Sequence, residues 1–237
     1  EHHRLSKADV LSICRADPSA HNFTQEVHEL VANRCAGHPL ALAYLLNQLE
    51  EFEGTDPVAH VRSIPAYDGD IAGQYRAVWD QLASDAEIVR VLRVCSRLRI
   101  GFEMDWIRTW TSDAATHHLL NDLRFLFRVE RKRWRFFHDS FRQFARERTS
   151  LGENRKPDPG SDVTAHREVA VLCEASEVDA IRWQALFHRY EALQFDDVLR
   201  LATQAEFRGQ FVALRSASEV TDDAKLALTA AANLGDF

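Results

Sequence analysis

The chain has 237 residues, a formal net charge of -7, and ordinary shares of apolar (46%) and charged (27%) residues. These values exclude a disordered, collagen-like or fibrous chain. No run approaches the roughly 18 uncharged apolar residues of a membrane span, and the acidic balance argues against a dedicated nucleic-acid binder.

The first segment, LSKADVLSICRA at 5–16, reads as a helix capped by Ser6, with Val10, Leu11, Ile13 and Cys14 on one side, and Asp17-Pro18 stops it. Thr24 caps a second helix that Gly37 ends, and Pro39 opens a third, where a missing N–H costs little. Gly54-Thr55-Asp56-Pro57 closes the third, which makes 1–64 a small helical subdomain. After a linker at 67–69, residues 71–98 carry helical spacing broken at Ser84-Asp85, followed by short helices at 103–110 and 112–123, the second capped by Ser112 or Asp113. The period then changes: 125–130 and 134–138 are aromatic and β-branched and predict a β-hairpin, with helix returning at 139–149. Three helices and a hairpin are the layout of a winged helix, expected over 65–150. The loop-like stretch 151–162 is expected to be a mobile linker. From 163 to 237 the pattern predicts paired helices at 164–176, 177–193, 195–203, 204–215 and 219–233, the start of a TPR-like α-solenoid. The expected fold class is therefore mainly α with one hairpin. A start at Glu1 without Met, and a solenoid without a polar cap, are expected of a piece of a longer polypeptide.

Several chemistries are missing. The sequence contains no G-x-x-x-x-G-K-[ST], no H-E-x-x-H and no G-x-S-x-G, so tight nucleotide binding by this chain alone, zinc-protease chemistry and α/β-hydrolase chemistry are not expected. No metal or catalytic residue is assigned. Cys14, Cys35, Cys95 and Cys173 lack metal spacing and read as buried reduced thiols. The adjacent pairs His2-His3 and His117-His118 lack the i, i+4 spacing of a helical metal site and read as exposed or half-buried histidines. His138-Asp139-Ser140 holds triad residue types, but neighbours in sequence cannot wrap one proton path.

Two longer motifs carry more. One is Cys35-Ala36-Gly37-His38-Pro39-Leu40-Ala41-Leu42; the other is Phe136-Phe137-His138-Asp139-Ser140-Phe141-Arg142-Gln143-Phe144-Ala145. In this order, about a hundred residues apart, they resemble the STAND class of signal-transduction NTPases, which includes the NACHT and NB-ARC families. The resemblance implies a helical lid at 1–64, a winged helix at 65–150 and the start of a sensor at 163–237. It gives Pro39 the adenine-side role of the lid proline and His138 the phosphate-sensing role; Gln143 stands where the family often has Gln or Glu. The family's P-loop domain, which would precede Glu1, is not in this sequence. ATP or ADP with Mg is thus implied for a parent protein and not for this chain.

The expected function is that of a regulatory switch module from a cytoplasmic signalling or defence ATPase. Its implied partners are an upstream P-loop domain, a ligand sensed by the repeats, and further copies in the active oligomer. The alternative is a winged-helix DNA-binding regulator that uses Arg131, Lys132, Arg133 and Arg135 as a phosphate-binding wing.

Overall fold

The computed structural model describes residues 4–18, 20–121, 123–152 and 156–235. They are mainly helical, with one two-stranded antiparallel sheet. In chain order the helices are α1 (Lys7–Ala16), α2 (Gln25–Cys35), α3 (Pro39–Glu50), α4 (Pro57–Ser63), α5 (Ile71–Leu82), α6 (Ala86–Cys95), α7 (Met104–Trp110) and α8 (Asp113–Asn121). A 3-10 turn at Arg124–Leu126 leads into β1 (Phe127–Glu130) and β2 (Arg133–Phe136). After them come α9 (Asp139–Arg148), α10 (Pro159–Glu174), α11 (Asp179–Arg182), α12 (Gln184–Glu191), α13 (Phe195–Leu201), α14 (Gln204–Val212) and α15 (Ala217–Leu234). The chain divides into two compact units, one of residues 1–89 and 103–144, the other of 90–102 and 145–237.

The predicted caps of the first unit form. The Ser6 hydroxyl accepts from the Asp9 N–H while the Asp9 carboxylate accepts from the Ser6 N–H, a reciprocal box that satisfies two otherwise orphaned donors. Thr24 caps α2 and Ser112 caps α8, while Asp85, read only as a break between helices, caps α6 by accepting from Glu87 and Ile88. Gly37 follows α2 with φ +72, and a Cβ there would stand 2.2 Å from the Leu5 carbonyl oxygen. Both the left-handed backbone and the close approach of Leu5, whose N–H donates to the Gly37 carbonyl at 2.8 Å, demand glycine. Val10, Cys14, Val27, Val31, Leu42, Leu45 and Val61 form the core between α1 and α4.

One helix of this unit has no counterpart in the sequence reading. Asp56-Pro57, read as the end of the third helix, also starts α4: the Asp56 carboxylate accepts from the Ala59 N–H at 2.9 Å, and Pro57 occupies the first turn. The segment 67–69 is likewise tied down, the Tyr67 N–H donating to the Arg34 carbonyl at 2.7 Å.

The hairpin pairs Phe127 with Phe136 and Val129 with Trp134 on one face, and Arg128 with Arg135 and Glu130 with Arg133 on the other. Its loop has two residues rather than the three expected, Arg131 and Lys132, with φ of 50 and 70. A two-residue turn matched to strand twist needs left-handed backbone at both positions, which favours Asn-Gly. Replacing Arg131→Asn with Lys132→Gly is expected to stabilise the unit by about 1 kcal/mol, read as a raised urea midpoint. A lowered midpoint would show that the two native side chains hold the tip through contacts of their own.

The second unit corrects the expected linker at 151–162. Leu151 pairs with Pro157 in an isolated bridge, the Asp158 side chain caps α10 through Gly160 and Ser161, and α10 begins at Pro159. Asp-Pro-Gly-Ser reads as a loop, yet Asp followed by Pro is also a helix start. Residues 153–155 of that stretch lie outside the described residues. Residues 90–102, expected with the winged helix, group with the C-terminal helices because their arginines end there. The Arg97 side chain, fully buried, donates to Asp162 at 2.7 Å and to Thr149 and Ser150. Arg99 donates to Gln184 and to the buried Asp223, which Arg215 also meets at 2.7 Å. Leu186, Val198, Ala227 and Ala230 pack as a smaller apolar cluster across α12, α13 and α15.

Candidate functional site

His138 follows β2 and precedes α9, and its ring is exposed. The Ser140 N–H donates to His138 Nδ1 at 3.2 Å, so that nitrogen is an acceptor. The Ser140 hydroxyl, 2.7 Å from the same nitrogen, must therefore donate to it. Tyr75 Oη lies 2.5 Å from Ser140 Oγ and, with the serine proton committed, is the donor of that pair. The relay runs Tyr75 to Ser140 to His138 Nδ1 and leaves the ring proton on Nε2. Burial of Tyr75 pushes its hydroxyl pKa up, so it remains a donor at neutral pH. Its ring is held edge-on by Phe141 at 5.2 Å. Sequence reasoning found His138 and missed Tyr75, because 65 residues separate Tyr75 from Ser140.

His138 and Ser140, two residues apart in sequence, meet without forming a triad. A short cap geometry, rather than separate elements, brings them together. Asp139 is not part of that pair; its carboxylate accepts from Arg142 Nε at 2.7 Å and from Gln143 at 3.3 Å.

Pro39 is exposed in the first turn of α3. The residue before it repeats the chemistry of His138: the Ala41 N–H donates to His38 Nδ1 at 3.3 Å, and the His38 ring stacks on Tyr67 with centroids 4.3 Å apart. Both motif histidines thus cap helices through Nδ1. Tyr44, five residues beyond Pro39, packs 5.9 Å from Tyr75 and 6.4 Å from Phe137, the residue before His138. This ring joins the two motifs within the first unit.

The four basic residues of the alternative site differ in exposure and pairing. Arg131 and Lys132 are exposed at the hairpin tip and Arg135 on the outer face of β2. Arg133 is instead half-buried, 3.1 Å from Glu103 and stacked over Trp106 at 4.7 Å. Arg128, opposite Arg135, pairs with Glu130 at 3.0 Å.

All four cysteines are buried and free. Burial pushes the Cys14 thiol up to about 11 and the Cys173 thiol up to about 12, which leaves them protonated and unreactive. His117 is exposed and bonded to Asn121, and His118 is half-buried, 3.7 Å from Asp85. His2 and His3 lie outside the described residues. Among the described residues no group of three His, Cys, Asp or Glu side chains is placed to hold a metal, and no helix is long and apolar enough to cross a membrane. No family model, curated protein or solved structure matches the chain.

Proposed function

We propose that this chain is the regulatory part of a STAND-type signalling or defence ATPase: a helical lid, a winged helix and the first repeats of a sensor. The observation that carries the reading is the fixed tautomer of His138. Its Nδ1 is occupied by the Ser140 donors, and the exposed ring keeps its proton on Nε2. A group meant to contact a phosphate gripped by another domain needs an outward donor held in one orientation, and the Tyr75–Ser140 relay supplies both. Such a charge-assisted hydrogen bond is worth about 1.5–3 kcal/mol. That biases a closed-to-open equilibrium by about one to two decades. Pro39 would line the adenine side of the same nucleotide. Phosphate binding and Mg coordination would come from the upstream P-loop domain; this chain contributes orientation and a donor.

His138 also caps α9, so alanine would confuse the two roles. In the longer polypeptide, His138→Ser retains a capping oxygen and removes the outward donor. ADP retention is expected to weaken about 10-fold or more, with thermal stability little changed. Unchanged ADP retention would overturn the switch role, as would a parent sequence without a G-x-x-x-x-G-K-[ST] segment before Glu1. DNA binding is the competing reading, supported by the two strained basic residues at the hairpin tip. It requires a salt-sensitive gel shift that Arg131→Ala with Lys132→Ala abolishes.

A further inference from the structure

Two helix ends in the second unit are built alike. α12 closes on Arg189-Tyr190-Glu191-Ala192-Leu193-Gln194, and α14 closes on Gln210-Phe211-Val212-Ala213-Leu214-Arg215. Each ends with a leucine at positive φ, +57 for Leu193 and +61 for Leu214. The same two backbone bonds close each helix. The Leu193 and Leu214 N–H groups donate to the Tyr190 and Phe211 carbonyls at 2.9 and 3.1 Å, and the Gln194 and Arg215 N–H groups to the Arg189 and Gln210 carbonyls at 2.9 and 3.0 Å. In this motif an apolar contact commonly joins the residues at positions 189 and 194, or 210 and 215. Here an Arg–Gln clasp replaces it, in opposite orders: Arg189 Nη1 donates to Gln194 Oε1 at 2.9 Å, and Arg215 Nη1 to Gln210 Oε1 at 2.6 Å. Both arginines are buried and tied further, Arg189 to Glu174 and Arg215 to Asp223, so both turns are held rigidly.

What these rigid turns present is apolar. Leu193 is 63% exposed and Leu214 90% exposed. Glycine or asparagine is the ordinary residue at such a position, because a left-handed backbone strains a leucine. A leucine that is both strained and hydrated gains little from its own unit, and its use lies in a contact with something else. Around Leu214 the patch widens: Phe211 and Val212 are 50% and 77% exposed, and the run 211–214 is apolar throughout. Arg208, one turn earlier on the same helix face, is exposed and has no ion pair among the described residues. Beside Leu193 the lone charge has the other sign: Asp196 is exposed and likewise has no ion pair among the described residues.

We propose that the Leu214 end of α14 is a self-association surface that takes the Leu193 turn of a second copy of this chain. Leu193 of one copy lies against Phe211, Val212 and Leu214 of the other, and Asp196 meets Arg208. Charge selects this match. Two Leu214 ends set together would bring Arg208 against Arg208, and two Leu193 turns would bring Asp196 against Asp196, whereas the unlike ends pair opposite charges. Because the two surfaces differ, the contact is head-to-tail and continues from copy to copy into a ring or chain. Few residues take part, so the association is at the weak end of protein interfaces, with a Kd on the order of 100 μM. The inference stands apart from the switch proposed for His138.

The test is sedimentation equilibrium of the purified 237-residue chain from about 10 μM to about 1 mM. The weight-average mass is expected to rise with concentration above that of the monomer. Leu214→Asn places a better residue in the left-handed turn and removes the apolar contact. Its melting temperature should hold or rise while association weakens about 10-fold or more, and Leu193→Asn should do the same from the other side. Arg208→Glu and Asp196→Arg should each weaken self-association, since each sets like charges against one another. Mixed together, these two variants should associate again through the reversed pair. A monomer throughout the concentration range overturns the proposal and leaves the two leucines to a different protein. Association unchanged by either leucine variant overturns it as well, as does a mixture of the charge variants that associates no better than each alone.

Discussion

Asp162→Ala is expected to lower the stability of the second unit by about 3–5 kcal/mol, measured as a shifted urea midpoint. The Asp162 carboxylate accepts from Arg97 Nε at 3.1 Å, Arg97 Nη2 at 2.7 Å, Arg146 Nη2 at 2.8 Å and Ser150 Oγ at 3.1 Å. Burial by itself would raise its pKa, but the hydrogen bonds and charges of Arg146 and Arg97 outweigh it and hold the group well below the usual carboxylate range. Removing it leaves the Arg97 guanidinium, whose side chain has no exposed surface, without a counter-charge. Arg146 suffers less, because it is 38% exposed and water can solvate it. The sign of the companion variant separates charge from packing. Arg97→Met added to Asp162→Ala takes out the stranded cation and should recover at least half of the loss, since a buried pair replaced by apolar groups is often neutral. A loss below about 1 kcal/mol for Asp162→Ala, or no recovery in the double variant, would mean that water already screens the network.

Asp162 also shows where the sequence stopped being legible. It sits in a Pro-Gly-Ser-Asp run whose composition reads as loop, and its partners Arg97 and Arg146 lie 65 and 16 residues away. Periodicity and caps located most helices because both are local: Ser6, Thr24 and Ser112 cap the helices expected of them. The hairpin was legible from its change of period, although its register was not. Glu130 pairs with Arg133, which shortens the loop by one residue. Dipeptides with two meanings produced the errors. Asp56-Pro57 reads as a stop and Asp158-Pro159 as part of a linker, yet both act as starts, since proline that cannot continue one helix is well suited to begin another.

The candidate site divides along the same line. Pro39 and His138 were singled out because each stands in a contiguous motif, whereas His38, in the same motif, was given no role. The relay that sets the His138 tautomer comes from Tyr75, and the ring joining the two motifs is Tyr44. Both look like ordinary apolar-face aromatics in sequence. The helix α4 was itself missed, since its start is spelled by a dipeptide that also ends helices.

The second large effect is acid lability between pH 6.5 and 4. Arg146 Nη2 faces His166 Nε2 at 3.3 Å, so that nitrogen accepts; His166 Nδ1 then carries the proton and donates to His188 Nδ1 at 2.9 Å. His188 is fully buried, and its Nε2 has no partner. A further proton on either ring sets two donors face to face. Burial lowers the His166 pKa to about 4, with Arg146 and Arg97 adding to the effect and Asp162 opposing it, and burial, then His166, Arg99, Arg97 and Arg146, hold His188 well below its ordinary value. Both histidines bind protons more readily unfolded than folded, so stability rises with pH across this window and is flat above about 7. As pH falls from the unfolded value near 6.5 to about 4, His166 alone withdraws about 3 kcal/mol. Asp162, held below its ordinary range, contributes its own loss only at still lower pH, below about 4. Urea midpoints at pH 7, 6, 5 and 4.5 should therefore fall steadily for the native chain. The His166→Gln with His188→Leu variant keeps an acceptor for Arg146 and removes both titrating rings. Its profile should be shallower by more than half over the same range, and parallel profiles for the two proteins would show that the histidine pair already carries a proton in the folded state.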